Sequence, residues 1–183
     1  NQDNMLTIAN LIDNSINDRP LNIEDTILHH EENIDLIPSN LDLSAMEIPL
    51  MSAMNREFVF RNCLKDVKDK YDYILIDCMP SLGMITINAL ATSDKVIIPV
   101  QTQYLAAKSM GQLMQTVSKI KRQINPNLNI GGILLTLVDE RTNLSKETQK
   151  ELFNSYGNYI KIYNTKIPIA VKVAESTSAG KSI

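Results

Sequence analysis

Glycine and cysteine are both scarce in this chain, with six glycines and two cysteines among 183 residues. The glycines stand at 83, 111, 131, 132, 157 and 180. None is placed to build a G-x-x-x-x-G-K-[ST] loop, whose backbone N–H groups would cradle phosphates. Gly180-Lys181-Ser182 has the form of such a loop's end, but the position that needs the first glycine is Glu175. Cys63 and Cys78 form no C-x-x-C pair; they read as small buried hydrophobes of a reducing compartment and exclude a disulfide framework. Positive charge is not in excess either. Eighteen Lys and Arg against 21 Asp and Glu leave a net charge of −3, so no global basic field draws the chain to nucleic acid or anionic lipid, and any such contact requires a local patch. No run resembles a transmembrane span or a signal peptide, and there is no repeat, low-complexity tract or linker. What remains is 44% hydrophobic and 21% charged, enough for one domain, residues 1–183, with a sizeable core.

The most informative segment runs from Tyr71 to Ser81, Tyr-Asp-Tyr-Ile-Leu-Ile-Asp-Cys-Met-Pro-Ser. Tyr73-Ile74-Leu75-Ile76, with charge before it and Pro80 and Gly83 after it, predicts a strand buried on both faces of a parallel sheet. Asp77 then falls at the strand's carboxyl end, where open α/β sheets bind ligands. A carboxylate there either caps the strand or holds Mg²⁺ through its water shell. Pro80-Ser81-x-Gly83 forms a turn able to swing near a phosphate, which favours the second role.

Around this segment strand-like runs alternate with helical periods. Met5 to Ile16 is apolar at helical spacing, Ile23–Leu28 predicts a short helix and Ile34–Pro38 a short strand. Ser44-x-x-Glu47 has the form of a capping box that opens a helical stretch continuing to Lys70. Met84–Thr92 follows as a helix, Lys95–Val100 as a strand and Leu105–Gln123 as a helix with Met110, Leu113, Met114, Val117 and Ile120 on one face. Ile130–Val138 predicts a strand, Leu144–Tyr156 a helix and Tyr159–Tyr163 a last strand. This alternation implies a mostly parallel, five-stranded sheet with helices on both faces and Tyr73–Asp77 at its centre. His29-His30-Glu31-Glu32 reads as a solvated helix end, since adjacent residues on a helix face different ways and make a poor metal-ligand set.

Three stretches, Tyr71–Met110, Gly131–Ser145 and Thr165–Ile183, together with Ile27–Glu32 and Asp35–Asn40, resemble the ParA/Soj family of chromosome and plasmid partition ATPases. The resemblance covers nearly the whole chain. It implies an α/β P-loop NTPase-like fold of three layers, incomplete at the N-terminus. It further implies a protein that uses ATP and Mg²⁺, forms a homodimer around ATP, binds DNA non-specifically in the ATP state and is stimulated to hydrolyse by a ParB-like partner. Such a protein is cytoplasmic and nucleoid-associated, with no membrane contact.

The departure from the family is the missing Lys-Gly-Gly-x-Gly-Lys-Thr loop, so by the resemblance the chain begins after the first strand, P-loop and first helix and ends before the closing helix. Asp77 corresponds to the Walker B carboxylate, with Mg²⁺ held through water, and Pro80, Ser81 and Gly83 to the turn that senses the γ-phosphate. Thr136, Leu137 and Pro168 correspond to the strand end and Ile-Pro turn that flank the adenine; read by themselves they are equally a strand end and a proline turn. Asp139, Arg141 and Asn143 form a polar loop near the dimer or base, or an ordinary solvated loop. The family's DNA surface lies partly in the C-terminal region, where Lys161, Lys166, Lys172 and Lys181 face one Glu175; Lys166 and Lys172 are the candidate phosphate contacts, against the alternative of a merely soluble face. Two functions follow: a partition ATPase whose P-loop lies outside this sequence, so that this chain alone is inactive, or a non-catalytic ParA-like fragment offering a dimer or partner surface.

Overall fold

The computed structural model describes residues 5–79, 81–102 and 106–182, apart from the side chains of 106–109 and 174. The chain divides into two compact units, Asn1–Ser93 with Lys119–Pro126, and Asp94–Ser118 with Asn127–Ile183.

The first unit is helical with one small ribbon. Helix α1 (Ile8–Ile16) buries Ala9, Leu11 and Ile12, the face expected from its helical spacing, and the Thr7 amide donates to Asn10 Oδ1 at 2.8 Å to close its first turn. Strands β1 (Leu28–His30) and β2 (Ile34–Leu36) pair antiparallel. Four short helices follow: α2 (Asp42–Ala45), α3 (Glu47–Ser52), α4 (Val59–Leu64) and α5 (Met84–Thr92). Ile12, Leu50, Val59, Phe60, Met84 and Ile85 form one core cluster, and Leu11, Ile23, Ile27, Leu64 and Val67 a second. A polar pin joins α5 to α4: the fully buried Asn88 side chain accepts from the Phe60 amide at 3.1 Å and donates to the Arg56 carbonyl at 2.7 Å. Arg61 adds a bond to the Ala91 carbonyl and stacks 4.9 Å from the Phe58 ring centroid.

The second unit holds a parallel sheet in the order β3-β4-β5, with β3 spanning Lys95–Gln101, β4 Asn129–Val138 and β5 Ile162–Pro168. Helix α6 (Ala106–Gln123) connects β3 to β4, and α7 (Asn143–Tyr156) connects β4 to β5. Ile98, Val100, Ile133, Leu135, Val138 and Ile162 pack with Met110 and Leu152 of the two helices. The pairing of β4 is irregular on both of its sides. Val96 pairs with Ile130 but Ile97 with Gly132, which leaves Gly131 as an extra residue. Gly132 has φ 148°, and a Cβ there would sit 2.6 Å from the Lys161 carbonyl oxygen, so glycine is required on both counts. The pairing with β5 shifts twice, between Ile133 and Leu135 and between Leu135 and Val138, the second time around Leu137 at φ 49°. The chain closes with α8 (Val171–Ala179), capped by Gly180 at φ 61°. Gly180 is thus a helix stop, in keeping with the reading of Gly180-Lys181-Ser182 as no phosphate loop.

Several expectations need correction. Tyr73–Asp77 is not a strand and not central: it pairs with no strand among the described residues, and Tyr73 and Leu75 are 86% and 90% exposed. The physical reason is that a strand exists only when a neighbour takes its N–H and C=O groups, and the first unit's single ribbon is already paired with itself. Among the described residues the parallel sheet accordingly has three strands, not five. His29 to Glu32 is a hairpin and not a helix end, turned by Asn33 at φ 57°, a conformation asparagine tolerates. The stretch from Ser44 to Lys70 is broken into short helices because Asn55 adopts φ 50°. Pro49 is accommodated in the first turn of α3, where its missing N–H has no helical partner to lose. The last strand begins at Ile162 and not at Tyr159, since the amides of Tyr159 and Ile160 both return to the Tyr156 carbonyl, at 2.9 and 2.8 Å. Leu105, the expected start of α6, lies outside the described residues; helix α8 has no counterpart in the sequence reading.

Asn88 generates a test of the first unit's cohesion. Asn88→Ala leaves the Phe60 N–H buried without a partner and should lower the unfolding free energy by about 2–3 kcal/mol, measured by urea titration followed by circular dichroism.

Candidate functional site

Asp77 is exposed at the end of the unpaired apolar segment. No hydrogen bond or ion pair engages its carboxylate among the described residues, and its charge raises the thiol pKa of neighbouring Cys78, secondarily to burial. The segment is anchored at its start. The Tyr71 hydroxyl donates to Asp35 Oδ2 at 2.6 Å, and His29 Nδ1 lies 2.7 Å from Asp35 Oδ1, so β1, β2 and residue 71 share one carboxylate. The Tyr71 hydrogen bond, and after it that of His29, holds the Asp35 pKa below its ordinary value. The same bond, followed by burial, pushes Tyr71 up to about 12.

The segment's far end is anchored too. Ser81 donates its amide to the Met79 carbonyl at 2.7 Å, Gly83 caps α5, and Glu47 on α3 reaches the helix start: Met84 N–H to Oε2 at 2.7 Å and Ile85 N–H to Oε1 at 3.3 Å. Glu47 therefore caps α5 and not its own helix. The capping box read at Ser44-x-x-Glu47 is absent because Ser44 lies inside α2 and α3 starts at Glu47 itself. Asp77, Ser81 and Gly83 thus lie on one tethered stretch of the first unit; Pro80 lies outside the described residues.

The second unit gathers the other candidates at the carboxyl ends of its strands. Val138 pairs with Pro168, and the Ile169 amide donates to the Val138 carbonyl at 3.2 Å, which puts Thr136, Leu137 and Pro168 side by side. Leu137 is 43% exposed in its left-handed conformation, the kind of backbone strain found at ligand clamps. In the next loop Arg141 grips Asp139 with two bonds of 2.9 Å. That grip lowers the Asp139 pKa to about 2. Thr142 caps α7, whose first residue is Asn143, and Ser145 Oγ bonds Thr102 Oγ1 at 2.9 Å inside the unit. Lys166 is paired with Glu140 at 2.7 Å, while Lys172 stands exposed on α8.

Among the described residues no three His, Cys, Asp or Glu side chains converge on a possible metal position. A lone, unpartnered carboxylate suits Mg²⁺ only in the Walker B manner, through water and with phosphate oxygens supplying the remaining ligands. Asp77 fits that description.

Comparison with known proteins decides the family. A family described as an AAA domain matches residues 1–130. The chain is 44% identical over 152 residues to the sporulation initiation inhibitor protein Soj of Bacillus subtilis (strain 168), covering 83% of this chain and 59% of that protein. It is 42% identical over 151 residues to the chromosome-partitioning ATPase Soj of Treponema pallidum (strain Nichols), covering 82% and 59%. The chain belongs to the ParA/Soj family of partition ATPases. It spans 59% of the length of each of these two relatives. Among solved structures, cobyrinic acid a,c-diamide synthase from Mycobacterium smegmatis with bound ADP and magnesium superposes with a TM-score of 0.81 at 25% identity, covering 97% of this chain and 75% of that one. The fold is that of the P-loop ATPases. Among the described residues no helix is long and apolar enough to cross a membrane.

Sequence reading missed both tethers of this ParA/Soj segment. Tyr71 and Asp35 are 36 residues apart, Glu47 and Met84 37, and no local pattern announces pairs at that separation. The Tyr71 tether is testable through pH. A folded-state Asp35 pKa below its unfolded value, about 3.9, contributes stability that is present above that value and lost as pH falls through the folded one. A Tyr71 pKa raised from about 10 contributes stability present below pH 10 and lost as pH climbs toward 12. Tyr71→Phe should remove the second contribution and the Tyr71 share of the first, leaving that of His29, so its stability deficit, measured by denaturant unfolding across pH, should be largest near neutrality and shrink at both extremes.

Proposed function

We propose that this chain is the portion of a partition ATPase that carries the Mg²⁺-coordinating carboxylate, the γ-phosphate-sensing turn and the adenine-flanking strand end. The observation that carries the reading is the unpartnered, exposed Asp77 carboxylate on a stretch tethered at both ends. In the full-length protein Asp77 holds Mg²⁺ through water while Pro80, Ser81 and Gly83 respond to the γ-phosphate; Thr136, Leu137 and Pro168 border the base. The ATP and Mg²⁺ supply the reaction's phosphoryl chemistry when bound; what these residues contribute is position and a fixed negative charge. ATP-dependent homodimerisation, stimulation by a ParB-like partner and non-specific DNA binding belong to the same reading. Lys172 and, once released from Glu140, Lys166 meet DNA phosphates without reading sequence, which implies nucleoid association in the cytoplasm.

A second reading rests on Tyr73 and Leu75, which stand 86% and 90% exposed. A non-catalytic ParA-like module would use that apolar segment as a dimer or partner surface.

Residues 1–183 alone should not hydrolyse ATP, because the sequence holds no G-x-x-x-x-G-K-[ST] loop to supply amides and a lysine to the β- and γ-phosphates. Mg²⁺-dependent phosphate release by the purified chain, abolished by Asp77→Ala, would overturn that expectation. In the full-length protein Asp77→Asn preserves shape and removes charge. It should cut the ATPase rate and ATP-dependent DNA binding at fixed salt, with circular dichroism unchanged; wild-type values for both would reduce Asp77 to a solvated loop residue.

A further inference from the structure

A side chain that sequence reading assigns to its own helix instead holds the loop carrying Asp77. The first N–H groups of a helix have no partner within it and carry partial positive charge. At α5 this place is taken from within the molecule: Glu47 accepts from both Met84 and Ile85. The middle of α5, one turn further on, is fixed by the buried Asn88 pin, so the helix start is a firm post, and the chain immediately before it is the stretch containing Asp77, Ser81 and Gly83. Gly83 belongs to the same arrangement. Its φ is −77°, so no backbone strain calls for glycine there. A Cβ, however, would lie 2.8 Å from both Cδ and Oε2 of Glu47, closer than any relaxed contact. The glycine is needed to let the carboxylate in. Because the obstructing atoms are the end of a flexible side chain, a methyl group at 83 would displace Glu47 at small cost to the fold and leave the two amides uncapped.

We propose that Glu47 and Gly83 act as one latch, in which the Glu47 carboxylate, admitted by the bare Gly83, clips the stretch that carries Asp77, Ser81 and Gly83 onto α5 and so positions it for phosphate-dependent rearrangement. Glu47 is a positioning residue: it acts through the amides of Met84 and Ile85 and not on substrate. The proposal rests on the reading of that loop as the one that meets Mg²⁺ and the γ-phosphate.

The test is a double-mutant cycle in the full-length protein with Glu47→Ala, Gly83→Ala and the pair, read as kcat, Mg²⁺-ADP affinity and amide hydrogen exchange. Each single variant should lower kcat by about 10- to 100-fold, the scale of a misplaced reacting group, leave ADP affinity unchanged and speed exchange at Met84 and Ile85. The pair should be no worse than Glu47→Ala alone, since without the carboxylate the added methyl group at position 83 has room. Glu47→Gln, which keeps one acceptor oxygen, should fall between wild type and Glu47→Ala. A Glu47→Ala protein with a lowered Tm but wild-type kcat makes Glu47 a cap and nothing more, and additive losses in the pair separate the two residues; either result overturns the latch. Failure of the functional reading has a different signature, an Asp77→Asn protein with an unchanged rate. The exchange rates at Met84 and Ile85 test the clip in that case as well, because they do not depend on hydrolysis.

Discussion

Every strand edge in this molecule is governed by the requirement that backbone N–H and C=O groups find partners. β4 meets it on both sides, with β3 and β5 as parallel neighbours, and the second unit's core collects around it. The segment from Tyr73 to Asp77 has the composition of such a strand and no neighbour to make it one. Its tyrosine and leucine consequently face solvent, and its carboxylate is left unpartnered. The candidate site in the first unit therefore owes its geometry to side-chain tethers at residues 71 and 84, not to a sheet.

Those tethers differ in kind. At Tyr71 a neutral donor meets a carboxylate already engaged by His29 on the facing strand. At α5 the carboxylate comes from another helix and answers the helix's own partial charge. The first holds the stretch to the ribbon, the second to the helical core, and between them the described residues make no sheet pairing. That combination leaves the stretch held by its ends and not along its length.

Elements whose signal is local are legible in the sequence. Met84–Thr92 can be read to the residue because Gly83 stops the chain before it and its residues are mostly apolar; α6 and α7 are placed within a residue or two by their periodicity. Elements defined by distant partners are not legible in this way. The apolar run at Tyr73 has the look of a buried strand because composition reports burial potential, not the presence of a neighbour. His29 to Glu32 reads as helical because nothing local reveals that Asp35 waits across a hairpin. Asp77 is legible as a carboxylate closing an apolar run, and Thr136 and Pro168 as strand end and turn. Glu47 stands out for a motif it does not form, since its partners lie 37 and 38 residues on.

The two irregularities of β4 act together as a correction of phase. Side chains on a strand alternate faces, yet Ile130, Ile133, Leu135 and Val138 all contribute to one core cluster, although even and odd positions are mixed among them. The extra glycine at 131 turns the alternation over once, and the shift around Leu137 turns it back. Loss of one residue at either place would rotate all that follows by half a turn, sending Leu135 or Val138 outward, whereas loss of one at each would return the strand's end to its proper face. The carboxyl end of β4 is thus kept in step with its beginning by two extra residues, each of which reverses the alternation once.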